Sequence, residues 1–216
     1  MNKQIGFTLI ELAMVLVIIG LLMGMVLKGQ ELINSAKVKN MAADFKNVQM
    51  YMYAYQDKFR ALPGDHRVAS ELIAGAQNGS GGTLGNGRIE GVWNAAASPP
   101  SSESEVFWQH VRLAGIAAGS TNLGDALYYP VNADGGIIGI ESVNGFSGPA
   151  GLSGAFVVCS AAVPGRLAKQ LDITLDDGAA DRGAFRVYVD GGTVWLSSSG
   201  EGALEDGMLY NACMAF

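Results

Sequence analysis

The distribution of apolar residues divides the chain into a greasy beginning and a patterned remainder. From Phe7 to Leu27 about 21 residues run with a single charge, Glu11, and a helix of that length spans roughly 31 Å, close to the hydrocarbon thickness of a bilayer. Beyond it the pattern changes period. Val38, Met41, Phe45, Val48, Met52, Tyr55 and Phe59 alternate spacings of three and four, one apolar stripe on a helix whose other faces carry Lys37, Lys39, Asp44, Lys46, Gln49 and Asp57. Ala61-Leu62-Pro63-Gly64 ends that stripe, because proline restricts its predecessor and glycine follows. One helix from Phe7 to about Arg60 would be roughly 80 Å long, apolar all round in its first half and one-sided in its second. The stripe lasts about three heptads without ordered flanking charges, which favours packing on the chain's own globular part over a coiled coil.

After residue 61 the pattern shortens. A short helix is expected over Arg67–Gln77, followed by the glycine-dense run Asn78–Gly91 and a break at Ser98-Pro99-Pro100-Ser101. A second helix is expected over Glu105–Ala118, capped by Ser102 or Ser104, with Val106, Phe107, Val111 and Leu113 or Ala114 inward. Gly136–Val143, Ala155–Ser160, Ala184–Val189 and Thr193–Ser198 read as strands, with Arg166–Leu171 a short helix and Asp190-Gly191-Gly192 a hairpin turn. Long helix, loops, then antiparallel strands make an α+β fold with a helix laid across a small sheet.

Glu11 is out of place in a bilayer, where a carboxylate is costly unless neutralised or paired. Near a helix start the macrodipole already favours an anion. A sharper account needs a cation at the same depth, and a cut between Gly6 and Phe7 would supply one in the new α-amino group of Phe7. The preceding MNKQIG carries one lysine, Lys3, and no A-x-A-like site follows the apolar run, so an ordinary secretory signal is a poor description. Gly6-Phe7-Thr8-Leu9-Ile10-Glu11 followed by an apolar run resembles the cleavage and methylation signature of type IV pilins and type II secretion pseudopilins. The resemblance implies a pilin fold with residues 1–6 a leader, 7–28 a membrane and filament-core helix, 29–60 its amphipathic continuation and 61–216 a globular head. It implies cleavage by prepilin peptidase between Gly6 and Phe7, N-methylation of Phe7 and assembly through Glu11. The implied partners are other pilin subunits, in a homo- or hetero-polymer, and an inner-membrane assembly platform. The precursor would cross the inner membrane once, with its N-terminus cytoplasmic, before entering a surface filament or a periplasmic pseudopilus. Lysines on both sides of the span leave orientation to the resemblance, not to charge. Many type IVa pilins carry a helix-breaking proline in the span; this sequence has none, and Gly20 and Gly24 form a small-xxx-small pair instead.

A second, softer resemblance covers the head. Ala61-Leu62-Pro63-Gly64-Asp65, Gly85-Asn86-Gly87, Phe107 to Gly115 (FWQHVRLAG) and Leu171 to Gly178 (LDITLDDG) are similar to a group of pilin-like proteins with poorly assigned roles.

Composition narrows the chemistry. A charged content of 16% against 49% hydrophobic residues, with 30 glycines, suits a loop-rich folded head and not a disordered tail. Formal net charge is −6, and loss of Lys3 with the leader would take it to −7, which argues against a broad nucleic-acid-binding patch. Enzyme signatures of the G-x-S-x-G, P-loop, H-E-x-x-H and C-x-x-C types are missing, and no catalytic residue is assigned. The two histidines, His66 and His110, read as loop and packing residues. Asp172, Asp176, Asp177 and Asp181 crowd a glycine-punctuated turn whose oxygens could hold calcium, though the spacing matches no EF-hand and Asp-Gly turns are common without metal. Cys159 and Cys213 are an even pair, and in an exported head a disulfide is favoured over two free thiols. It would close a loop of about 53 residues, stabilising by roughly 4 kcal/mol in the chain-entropy argument. Two function classes remain: a filament subunit of a type IV pilus or secretion pseudopilus, or a membrane-anchored exported binding module or enzyme.

Overall fold

The computed structural model describes residues 8–95, 101–197 and 203–216. The chain divides into two compact units, the first ending at Lys37 and the second running Val38–Phe216. Helix α1 (Leu9–Phe59) supplies the helical part of the first unit and opens the second. Three further helices follow, α2 (Ala69–Leu72), α3 (Glu103–Leu113) and α4 (Gly165–Leu175), with four strands, β1 (Ile138–Ser142), β2 (Phe156–Pro164), β3 (Phe185–Tyr188) and β4 (Leu209–Ala215). The strands form one antiparallel sheet in the order β1-β2-β4-β3. The fold is α+β and consistent with a pilin fold.

In the first unit the apolar side chains of α1 are exposed along the candidate membrane span, none of which is buried. In the second unit the stripe turns inward. Val38, Met41, Phe45, Val48, Met52 and Tyr55 are buried, Ala42 joins them, and Phe59 is half-buried at the end of the row. Phe45 meets Phe185 of β3 edge to face at 5.6 Å, an aromatic geometry that adds to simple area burial.

The sheet has two apolar faces. Ile138, Ile140, Val158, Val163, Phe185, Val187 and Ala212 belong to the main core with α1, α3 and α4. Val157, Cys159, Tyr188 and Cys213 point to the other face, where Trp93 and, around it, Phe146 and Trp195 cover them. Alternation along each strand sorts residues between the faces. Gly139 belongs to the second face, and a Cβ there would collide with the carbonyl of Trp93, so glycine lets the covering segment touch the sheet.

Several elements differ from the sequence reading. The expected helix Arg67–Gln77 is reduced to the single turn of α2, because Gly75 adopts φ 83° and the Asn78 side chain takes the Ser70 N–H and donates to the Arg67 carbonyl. Helix α3 starts before Glu105: Ser102 is its N-cap and its N–H donates to Glu105 Oε2 at 2.9 Å. It ends at Leu113 and not Ala118, with Gly115 at φ 73°. Helix α4 is longer than Arg166–Leu171 at both ends. Strand β2 runs on past Ser160 through a bulge in which Ala162 has φ 53°. The described part of Thr193–Ser198 is not a strand. After the turn closed by Gly192 N–H to the Val189 carbonyl, Leu196 reaches the Val187 carbonyl and Ser197 makes one isolated bridge to Ala203. The missing strand is β4, which pairs with β2 on one side and β3 on the other. The Ser98–Ser101 break lies outside the described residues except for Ser101.

Cys159 and Cys213 are direct cross-strand partners of β2 and β4, and they form a disulfide with Cα atoms 4.1 Å apart, both fully buried. The same face holds Glu141 of β1, 1% exposed. Its Oε1 accepts the Ser147 N–H at 2.9 Å and the Ser147 hydroxyl at 2.7 Å. Burial outweighs those bonds and pushes its carboxyl up to about 7.

Two measurements follow from this sheet. Cys213→Ser lowers unfolding free energy by up to about 4 kcal/mol and exposes the segment after Cys159 to protease, whereas the unreduced native chain shows no thiol after denaturation. Two titrating thiols in that sample contradict the bridge. Glu141 holds its proton more tightly folded than unfolded, so its contribution to stability is complete below about pH 4.5 and falls as pH rises to about 7. Glu141→Gln keeps an acceptor for Ser147 and removes that decline, so denaturation midpoints from pH 5 to 8 drop less in the variant than in the parent. Equal slopes would place the Glu141 carboxyl in water.

Candidate functional site

The N-terminal end of α1 is built from its own first turn. Thr8 precedes the helix and Glu11 stands three residues on, the T-x-x-E spacing of a capping box. Glu11 Oε2 accepts the Thr8 N–H and the Thr8 hydroxyl, both at 2.8 Å, and the Glu11 N–H donates to Thr8 Oγ1 at 3.3 Å. Two otherwise orphaned donors of the helix start are satisfied, and the carboxylate is held at the positive end of the helix dipole. The sequence reading missed Thr8, although the spacing was visible. Gly6 and Phe7, the residues expected to flank the cleaved bond, lie outside the described residues. Gly20 and Gly24 have open space where a side chain would stand, with nothing within 4 Å of either. On the exposed apolar surface that leaves two places where another helix backbone can approach closely. Lys28 and Glu31 pair at 2.6 Å on the surface beyond the span, a contact worth little by itself.

The globular unit brings the head motifs together. Asp65 accepts the backbone N–H groups of Gly85, Asn86 and Gly87, at 3.2 Å from Asn86 and 2.8 Å from Gly87, so Leu62-Pro63-Gly64-Asp65 and Gly85-Asn86-Gly87 are two halves of one lock. His110 of α3 accepts the Gly64 N–H on Nδ1 at 2.9 Å and bonds the Gln77 carbonyl through Nε2 at 2.7 Å. That pattern sets the proton on Nε2. Burial drives His110 down to about 4, with nearby His66 adding to the fall, so it is neutral at physiological pH. His66 Nδ1 lies 2.8 Å from the Tyr55 hydroxyl, and burial lowers its pKa as well, partly offset by Asp65. Arg112, in the same α3 motif, donates to the carbonyls of Ala118, Ser120 and Tyr128. His110 and Arg112 spend their polar atoms on backbone partners, and His66 on the Tyr55 hydroxyl.

Two groups of acidic residues stand out in the globular unit. Asp172, Asp176 and Asp177 each offer an oxygen within 4.8 Å of the others, while Asp181 stands outside that group. Asp176 Oδ2 accepts the N–H of Ala184 at 2.5 Å and of Phe185 at 3.0 Å, tying the start of β3 to the end of α4. Asp177 caps Ala179 and pairs with exposed Arg182 at 3.3 Å. Asp176 and Asp177 thereby hold the backbone of this turn in place. The sequence reading overlooked the second group. Glu103, the first residue of α3, is fully buried. Its Oε2 accepts the Glu90 N–H at 2.8 Å, while Glu90 Oε2 accepts the Thr83 N–H at 2.9 Å. Burial, with Asp65 and Glu90 adding their charge, pushes Glu103 up to about 7.

Comparison with known proteins bears on the N-terminal segment. Curated proteins and solved structures gave no match to the chain. Residues 1–27 match the family model described as the prokaryotic N-terminal methylation motif, the type IV pilin and pseudopilin signature, which supports reading the chain as a pilin-like or pseudopilin-type precursor.

Proposed function

We propose that this protein is a structural subunit of a type IV pilus or a related type IV-like filament. The observation that carries the reading is the coincidence, in one segment, of the methylation motif over residues 1–27 with the apolar span of α1, whose side chains from Leu9 to Leu27 are exposed. A bilayer covers that surface in the precursor. Neighbouring helices cover it in a filament. In either setting the 16 apolar side chains of Leu9–Leu27 leave water, each worth about 1.5–3 kcal/mol for a large aliphatic residue, so the chain has a strong drive to remain in one of the two.

Prepilin peptidase cuts between Gly6 and Phe7, and Phe7 is N-methylated. The new amine keeps a positive charge at the helix start, one turn from Glu11. Thr8 holds Glu11 at that end of the helix, so the carboxylate is presented to the amine of its own chain or of a neighbour. Other subunits and an inner-membrane assembly platform are the partners, and the precursor spans the inner membrane before the filament forms.

Mass spectrometry of the mature chain tests the first step: the N-terminal residue is methylated Phe7, and an intact Met1 or a cut elsewhere overturns the reading. Gly6→Leu blocks the cut, leaving the product at precursor mass. Glu11→Ala is still cleaved but assembles poorly, with filament yield down at least about tenfold, because losing one partner of a buried charge pair costs several kcal/mol. Normal yield from that variant removes the pairing. Imaging of filaments from the native source distinguishes a surface pilus from a periplasmic pseudopilus.

A further inference from the structure

Glu103 is the deepest carboxylate of the loop-rich segment and its two oxygens are treated unequally. Oε2 accepts the Glu90 N–H, while Oε1 is buried with no hydrogen-bond partner. A carboxylate oxygen left in that position costs more than the bond it lacks, because the charge is uncompensated. No ion pair among the described residues reaches Glu103, Glu90 or Asp65. The surroundings are shaped around the group by glycine. A Cβ on Gly64 would collide with the Glu103 carbonyl, and one on Gly79 would lie 2.7 Å from Glu103 Cγ. Gly82 is the most informative of the three. A Cβ there would collide with Glu90 Oε2 and lie 2.8 Å from Glu103 Oε1. The two carboxylate oxygens therefore converge on one small space beside the Gly82 backbone. Glu90 is half-buried and Gly82 exposed, so water reaches that space from one side.

We propose that Glu103 and Glu90 bind a divalent cation of the calcium class beneath the Gly79–Gly82 loop. The donors are all oxygen, which suits hard cations and not zinc or copper. Two carboxylates match a double positive charge. The irregular glycine loop and the open side tolerate a variable number of ligands and waters, as calcium allows and the strict octahedron of magnesium does not. The bound ion gives Glu103 Oε1 the partner it lacks and fastens the start of α3 to the glycine loop. This site is independent of the Asp172–Asp177 turn.

The test uses full-length protein in detergent, stripped with chelator and then titrated with CaCl2 or MgCl2, reading heat of binding and melting temperature. CaCl2 raises the melting temperature of the parent and MgCl2 raises it less. Glu103→Gln and Glu90→Gln each weaken calcium binding at least tenfold, and Asp177→Asn leaves it unchanged. Gly82→Ala crowds both oxygens from the surface, without a left-handed backbone to strain, and also weakens binding at least tenfold. It decides the matter if Glu103→Gln fails to fold. A parent that does not respond to CaCl2 overturns the proposal. So does full binding by a folded Glu103→Gln or Gly82→Ala protein, or a calcium response lost only in Asp177→Asn, which would assign the ion to the other turn.

Discussion

A segment with almost no secondary structure can be ordered only if its backbone polar groups find partners, and residues 61–95 meet that constraint with buried side chains. Asp65 satisfies three N–H groups of the Gly85–Gly87 turn, His110 takes the Gly64 N–H and the Gln77 carbonyl, Gln109 takes the Gln77 N–H, and Glu103 takes the Glu90 N–H. Each removes an orphaned backbone group that would otherwise cost about 1–3 kcal/mol. Most of these side chains sit on α3 or just before α2. That accounts for a helix whose residues Glu103–Arg112 are buried on every side, polar ones included. The loop segment and α3 depend on each other: the loop cannot be held without the helix's polar side chains, and those side chains could not be buried without the loop's backbone.

Such dependence also explains what was legible in the sequence. The stripe from Val38 to Phe59 could be read because seven apolar positions repeat with the period of a helix, and the structure buries six of the seven. Ile138–Ser142 and the first part of β2, as far as Ser160, could be read from apolar and β-branched runs. Leu209–Ala215 could not. Asn211, Ala212 and Cys213 give no alternation of polarity, since both faces of β4 are buried and its stability comes from the two neighbours that flank it. At the N-terminus the spacing of Gly6, Phe7 and Glu11 carried the whole reading. Glu103 and Glu90 carry no local pattern at all; 13 residues separate them, and only the folded loop brings their oxygens to one place.

The two units also differ in what stabilises them. The globular unit buries its apolar residues within itself and is tied by the Cys159–Cys213 bridge. The exposed part of α1 leaves its apolar surface to whatever surrounds it, lipid or another helix. Without an internal core, its contribution to stability belongs to the environment and rises or falls with it.

The strand order has a consequence in time. Strand β4 follows β3 in the chain yet lies between β2 and β3 in the sheet, and among the described residues it is the only strand β3 pairs with. In a polypeptide that emerges N-terminus first, from a ribosome or through a translocation pore, the β1–β2 pair can close early. Strand β3 must wait, edge exposed, until residues 209–215 appear and slot in beside it. Closure of this sheet is therefore a late, long-range event, and during that interval the unpaired edges of β2 and β3 are the places most open to pairing with the wrong chain.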